Sequence, residues 1–167
     1  VEAGYQHIAH IAGPKISWEA QERKRGWQDV LINAGMECTE RQLRWSDKAW
    51  SPESSGMCFE SLLADYTEMD AVFVASDQMA LKVLQLAGEK EIRIPEELAV
   101  IGHDNVPESS FYWPSLSTID HNHVNLGTQA VEMLLKIIES DSAAKMTLSH
   151  CVLPPQLIVR KSTTVGV

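Results

Sequence analysis

The 167 residues include 14 Lys and Arg against 23 Asp and Glu, a net charge of −9, and 44% of them are hydrophobic. This is the make-up of one globular domain, large enough to bury a core and too apolar to be disordered. The acidic balance disfavours a grip on nucleic acid, and no apolar run nears the ~20 residues that cross a bilayer.

The chain opens on Val1-Glu2-Ala3 rather than Met, so a natural start upstream is expected. "QHIAHIAG" (residues 6–13) reads as an apolar strand ending in a glycine turn. "SWEAQERKRGWQDVLINAG" follows as a helix, with Ser17 as N-cap and Gly35 as terminator. Its predicted apolar face is Trp27, Val30, Leu31 and Ala34. A short extended piece spans residues 42–45. "SPESSGMCFESLLAD" then starts a helix with Ser51 as cap and Pro52 at the first helical position, and sets Cys58 and Leu62 on one face.

"AVFVAS" (residues 71–76) is the next apolar strand and runs straight into the helix "DQMALKVLQLAG". The buried stripe of that helix is Ala80, Val83, Leu84 and Ala87, and Gly88 is its expected stop. "RIPEELAVIG" brings another strand over 98–101, after a turn at Pro95. The pattern predicts a long helix over 124–139 with Val131, Leu134, Leu135 and Ile138 on one side. Two extended segments, 151–153 and 157–159, close the chain around Pro154-Pro155. Cys38, Cys58 and Cys151 share no short spacing, so they form neither a disulfide framework nor a metal knuckle and point to a cytoplasmic protein.

Strand and helix alternate at the spacing of βαβ units, so the predicted class is α/β, a parallel sheet flanked by helices on both faces. Ligands of such sheets lie outside the carboxyl ends of the strands. The segments after the predicted strands would gather Ser17, Trp45, Trp50, Ser76, Asp77, His103 and Asp104 on one rim, with Arg23 reaching up from the first helix. Guanidinium and carboxylate groups each hold pairs of neighbouring hydroxyls, and an indole covers the C–H side of a ring. The set suits a polyhydroxylated small molecule.

Plainer readings stand beside that one. Asp104 also fits a turn carboxylate, Arg23 a member of the solvated charge run at 22–25, Trp50 a core residue, and Asp77 the first-turn acid of its helix. His121 and His123 face the same side of an extended segment. With Asp120 they lack a fixed third ligand, so lining a cleft or capping the next helix is expected, and no metal. His103 beside Asp104 has the make-up of an acid–base dyad. No nucleophile elbow, phosphate-cradling glycine loop or H-E-x-x-H motif accompanies it, so neither an enzyme nor a cofactor is expected.

Four stretches occur in a telling order: "GYQHIAHIAGP…S…ERKRGW", "DAVFVASDQMAL", "RIPEELAVIGHDN" and "WPSLSTIDHNHVNLGTQAVEMLL". Over nearly its whole length the chain resembles the C-terminal part of the effector-binding core of LacI/GalR-family bacterial transcription regulators. The resemblance implies a periplasmic-binding-protein-like fold, one lobe plus part of the other. It implies that residues 1–120 and 146–162 form the C-terminal effector-binding subdomain. Residues 121–145 would hold a crossover helix of the N-terminal subdomain, which is otherwise absent, as is the DNA-binding headpiece.

Residue by residue, Asp104 matches the family's ligand-binding aspartate after the glycine, and Arg23 the arginine four positions before an aromatic, here Trp27. Trp50 lies where sugar-binding members often place a tryptophan against the ring. Ser76 stands where many of them have Asn, and His121 and His123 stand where Gln and an aromatic are common. The implied ligand-binding set is Asp104, Arg23, Trp50, Ser76, His121, Ser17 and His123, for a small sugar-like effector. The implied partners are a second copy in a homodimer, and operator DNA only through the headpiece; no membrane is involved. A periplasmic sugar receptor of a transporter shares the fold, but the wording of residues 94–105 and 115–119 resembles the repressor branch.

Overall fold

A computed structural model describes residues 4–47, 49–139 and 150–164. In chain order it contains β1 (Ile8–Pro14), α1 (Trp18–Asn33), β2 (Leu43–Ser46), α2 (Pro52–Asp65), β3 (Ala71–Val74) and α3 (Asp77–Glu89). β4 (Ala99–Ile101), β5 (Thr118–Asp120), α4 (His123–Glu139) and β6 (Gln156–Ile158) follow. β2, β1, β3 and β4 lie side by side in that order, all parallel.

Successive strand residues point to opposite faces, and each face has its own helices. Ala9, Ile11, Val72, Val74 and Val100 pack with Phe59 and Leu62 of α2 and Met79, Val83 and Leu84 of α3. Ala12, with Ile8 and Phe73, packs with Trp27 and Leu31 of α1 and with Leu43. The sheet is therefore covered on both faces, as its alternating strands and helices predict. Ser17, Ser51 and Ser76 each accept a backbone N–H three residues on and so cap α1, α2 and α3.

Three local expectations change. The buried face of α1 is Ala20, Trp27 and Leu31, while Val30 and Ala34 are exposed. Val30 sits about 60° round the helix from Trp27, at the side of an open trough lined also by Ile8, Phe73, Ile101 and Val159, and stays exposed. α3 runs on past Gly88 to Glu89, because Gly88 keeps helical hydrogen bonding and its carbonyl accepts from the following turn. Residues 151–153 form no strand; only β6 pairs, antiparallel with β5.

Ser162 ties the returning chain to the sheet. Its Oγ donates to the Val100 carbonyl at 2.6 Å and accepts from the Ser117 N–H at 2.8 Å. β5 and β6 thus leave and re-enter at one edge, and between them stands α4, none of whose residues is buried. The boundary expected at 145/146 lies outside the described residues.

Candidate functional site

β1 and β3 are neighbours whose chains depart in opposite directions, β1 through α1 to β2 and β3 through α3 to β4. That reversal opens a crevice at the carboxyl ends of the two strands. A cavity of about 420 Å³ lies there, lined by Glu19, Arg23, Trp50, Ser76, Gln78, Asp104 and Val106.

Arg23 organises it. Its Nη1 donates to the Ala75 carbonyl at 2.5 Å and its Nη2 to Asp104 Oδ1 at 3.3 Å. Its Cζ lies 5.1 Å from the centre of the Trp50 ring, within cation–π range. Burial pulls the guanidinium down from its ordinary value, and the charges of Asp104 and Glu19 oppose that. Trp50 lies flat against Gly13, where a Cβ would run into the indole. The glycine turn after β1 therefore admits the ring.

Asp104 sits at φ +104° and Asn105 at φ +49°, left-handed conformations that Asp and Asn tolerate better than most residues. The turn is held by the Asp104 N–H donating to the Ile119 carbonyl at 3.0 Å. Asp104 Oδ1 also accepts from His103 Nδ1 at 2.8 Å. Asp104 is thus a turn residue, and its carboxylate also lines the cavity.

Asp77 is the first-turn acid of α3, as the plainer reading has it, and does not line the cavity. It is buried beneath the loop, accepts from Thr118 Oγ1 at 2.6 Å and the Val106 N–H at 3.0 Å, and its own N–H donates to the His103 carbonyl at 2.9 Å. Burial pushes its carboxyl above the usual range, against the hydrogen bonds from Thr118 and Val106. Gly102 fits only because it has no Cβ, which would meet Asp77 Oδ1. Arg160 braces the loop from outside, donating to Asn105 Oδ1 at 2.8 Å and to the Leu116 carbonyl at 2.6 Å.

Of the residues singled out in the sequence, Asp104, Arg23, Trp50 and Ser76 come together around the cavity. Ser17 does not line it; its Oγ caps α1 and donates to Glu19 at 2.5 Å. Trp45 packs on the opposite sheet face beside the Trp27 and Leu43 cluster. His121 stands behind the cavity, its Nε2 3.0 Å from His103 Nε2. Burial, then the neighbouring His103, lowers the His121 imidazole from its ordinary value. His123 is exposed at the start of α4, its ring centre 5.9 Å from that of His121. One ligand atom each of His103, Asp104 and His121 lie within 4.8 Å of one another.

Glu19, Gln78 and Val106 are lining residues that sequence reasoning missed. Glu19 and Gln78 share a signal: each is the second residue of a helix leaving the rim. Chemically the cavity offers an indole face, a hydroxyl, an amide and two carboxylates, and its lining guanidinium is already engaged by Asp104 and Ala75.

Residues 1–163 match the family described as the periplasmic binding protein-like domain. The HTH-type transcriptional repressor PurR of Pasteurella multocida (strain Pm70) is 32% identical over 162 residues, 97% of this chain and 47% of that protein. Among solved structures, the transcriptional regulator CelR in complex with cellobiose is 30% identical with a TM-score of 0.84, over 96% of this chain and 48% of that one. The lac repressor dimer bound to operator and the anti-inducer ONPF is 32% identical with a TM-score of 0.85, over 98% and 47%. The chain spans about half the length of these relatives. It belongs to the periplasmic binding protein-like domain family, in the form found in the cores of LacI-type regulators.

Proposed function

We propose that this chain is the C-terminal effector-binding region of a bacterial LacI-type transcription regulator. Its own activity would be reversible binding, without catalysis, of a small uncharged polar effector, a sugar or sugar derivative. The observation that carries this reading is the Arg23 arrangement, in which one guanidinium joins the Asp104 carboxylate to the Trp50 ring across the cavity. A pyranose would set its C–H face on the indole and its hydroxyls against Arg23, Asp104, Ser76 and Gln78. Two lining carboxylates, Glu19 and Asp104, outnumber Arg23, so a phosphorylated ligand meets net repulsion and a neutral one does not. The cellobiose complex of CelR agrees with a neutral saccharide.

In the intact regulator, α4 would belong to a second lobe that closes over the cavity. Its lack of any buried residue supports that placement. Effector binding would then bias the two lobes between conformations and alter the spacing of the headpieces of a cytoplasmic homodimer on operator DNA. Among the described residues no helix is long and apolar enough to cross a membrane.

Calorimetric titration of the chain with neutral mono- and disaccharides, their phosphate esters and purine bases tests the reading. Saturable binding of a neutral saccharide is expected, with no binding of its phosphate ester. Asp104→Asn should weaken it roughly ten- to a hundredfold, the worth of a hydrogen bond to a charged group. Binding confined to phosphate esters, or to planar bases that stack on Trp50, would overturn the sugar assignment.

A further inference from the structure

We propose that His103 and His121 form a site for one divalent transition-metal ion, such as Zn²⁺ or Ni²⁺, where the chain leaves the sheet for α4, with Asp104 as the carboxylate that orients His103. Two imidazole nitrogens, His103 Nε2 and His121 Nε2, face each other at 3.0 Å. That approach requires a proton on one nitrogen and a lone pair on the other. Asp104 decides which is which. Its Oδ1 stands 2.8 Å from His103 Nδ1, and a carboxylate only accepts, so the His103 proton sits on Nδ1 and Nε2 presents a bare lone pair. His121 then supplies the proton between the rings.

A metal ion can take that proton's place. Zinc about 2.0–2.1 Å from each of two imidazole nitrogens, in tetrahedral geometry, holds the nitrogens about 3.3 Å apart. The rings need to separate by only a few tenths of an ångström. The His121 proton passes to Nδ1 of the same ring, so two neutral imidazoles become ligands with no net proton released.

The surroundings favour this chemistry. A metal-bound imidazole commonly donates its other N–H to a carboxylate, which sets the ring and raises its basicity; Asp104 and His103 already form that unit. His103 is buried and its backbone carbonyl is held by the Asp77 N–H, so one ligand is fixed before the ion arrives. His121 is only half-buried, which leaves a way in from solvent. Asn122, at φ +49°, turns the chain so that His123 opens α4 with its ring centre 5.9 Å from that of His121. His123 lies outside the cluster of His103, Asp104 and His121, so water would complete the shell. The sequence pairs only His121 with His123; the fold supplies His103 from 18 residues away. A net charge of −9 raises the local concentration of cations.

The test is calorimetric titration of the metal-stripped 167-residue chain with ZnCl₂ and, separately, NiCl₂. A His150→Ala, Cys151→Ser background removes an adjacent His–Cys pair elsewhere in the chain. One ion per chain with micromolar affinity is expected. His121→Gln should abolish binding over the range titrated, with an unchanged circular dichroism spectrum. Asp104→Asn, which keeps the ligands but releases His103 from its tautomer, should weaken binding about tenfold. No binding up to millimolar metal, or binding indifferent to His121→Gln, would overturn the proposal and leave the two rings as a shared-proton hydrogen bond.

Discussion

Arg23 sits in the run Glu22-Arg23-Lys24-Arg25, where solvation is the ordinary fate of a guanidinium. Its neighbour Arg25 follows that fate, pairing with Glu22 near the surface. Arg23 differs because its position on α1 turns it over the end of β3, where the Ala75 carbonyl, Asp104 and Trp50 fix three sides of its fork. Lys keeps the charge but cannot span two acceptors with one plane. We expect Arg23→Lys to weaken effector binding nearly as much as Arg23→Ala, as measured by calorimetry; wild-type affinity in the Lys variant would show a mere point charge. His10, on the same sheet, carries the clearest pH dependence. Burial lowers its imidazole from 6.5 to about 4, opposed by its contact with the Phe73 carbonyl. The unfolded chain therefore takes up a proton between those values that the folded chain refuses. The His10 contribution to stability is present above pH 6.5 and is lost as pH falls towards 4, on the order of 3 kcal/mol in all. Urea midpoints from neutral pH to about pH 4 should fall less steeply for His10→Phe, which keeps a ring stacked on Phe73. Parallel curves for the two proteins would refute the assignment.

At the scale of the element, the loop over 102–106 is a separate piece of engineering from the strand that delivers it. Asp77 anchors it from below, Arg160 from the side and the Ile119 carbonyl from behind. A buried carboxylate is tolerated there because the Thr118 hydroxyl and the Val106 N–H each donate to one of its oxygens. Gly102 is the tight point, where an added Cβ meets both Asp77 Oδ1 and the Leu116 side chain. Gly102→Ala should therefore cost about 1–3 kcal/mol of stability, the usual range for overpacking, and should lower effector affinity by displacing Asp104. Denaturant unfolding measures the first and titration the second. An unchanged midpoint would show that the loop yields freely.

At the scale of the whole molecule, the two ends of the chain's apolar content have different fates. α1, α2 and α3 bury their stripes on the sheet, whereas α4 leaves Val131 57%, Leu134 54% and Ile138 68% exposed. An apolar face of that kind in water seeks cover. Sedimentation velocity should show the chain associating as its concentration rises, and the double variant Leu134→Glu, Ile138→Glu should remain monomeric. A wild-type chain that stays monomeric at high concentration would mean that α4 folds back onto its own domain in solution.

The sequence by itself determined the class and, β5 apart, the order of elements from β1 to α4, because strand and helix periodicity and serine caps are local and act within a few residues. It also pointed to Arg23, Trp50, Ser76 and Asp104, since segments following parallel strands converge on one rim whatever their detailed geometry. Tertiary structure decided what each side chain touches. Asp77 went under the loop instead of onto the rim, and Trp45 took the opposite sheet face; His103 met His121, and Glu19 and Gln78 joined the cavity. None of these is legible in spacing along the chain, because each depends on the direction of a side chain leaving one element relative to another many residues away. Arg160 shows the distance involved: it braces Asn105 from 55 residues further along, across β6 and the returning chain. Only the closed packing of the sheet edge brings the two together.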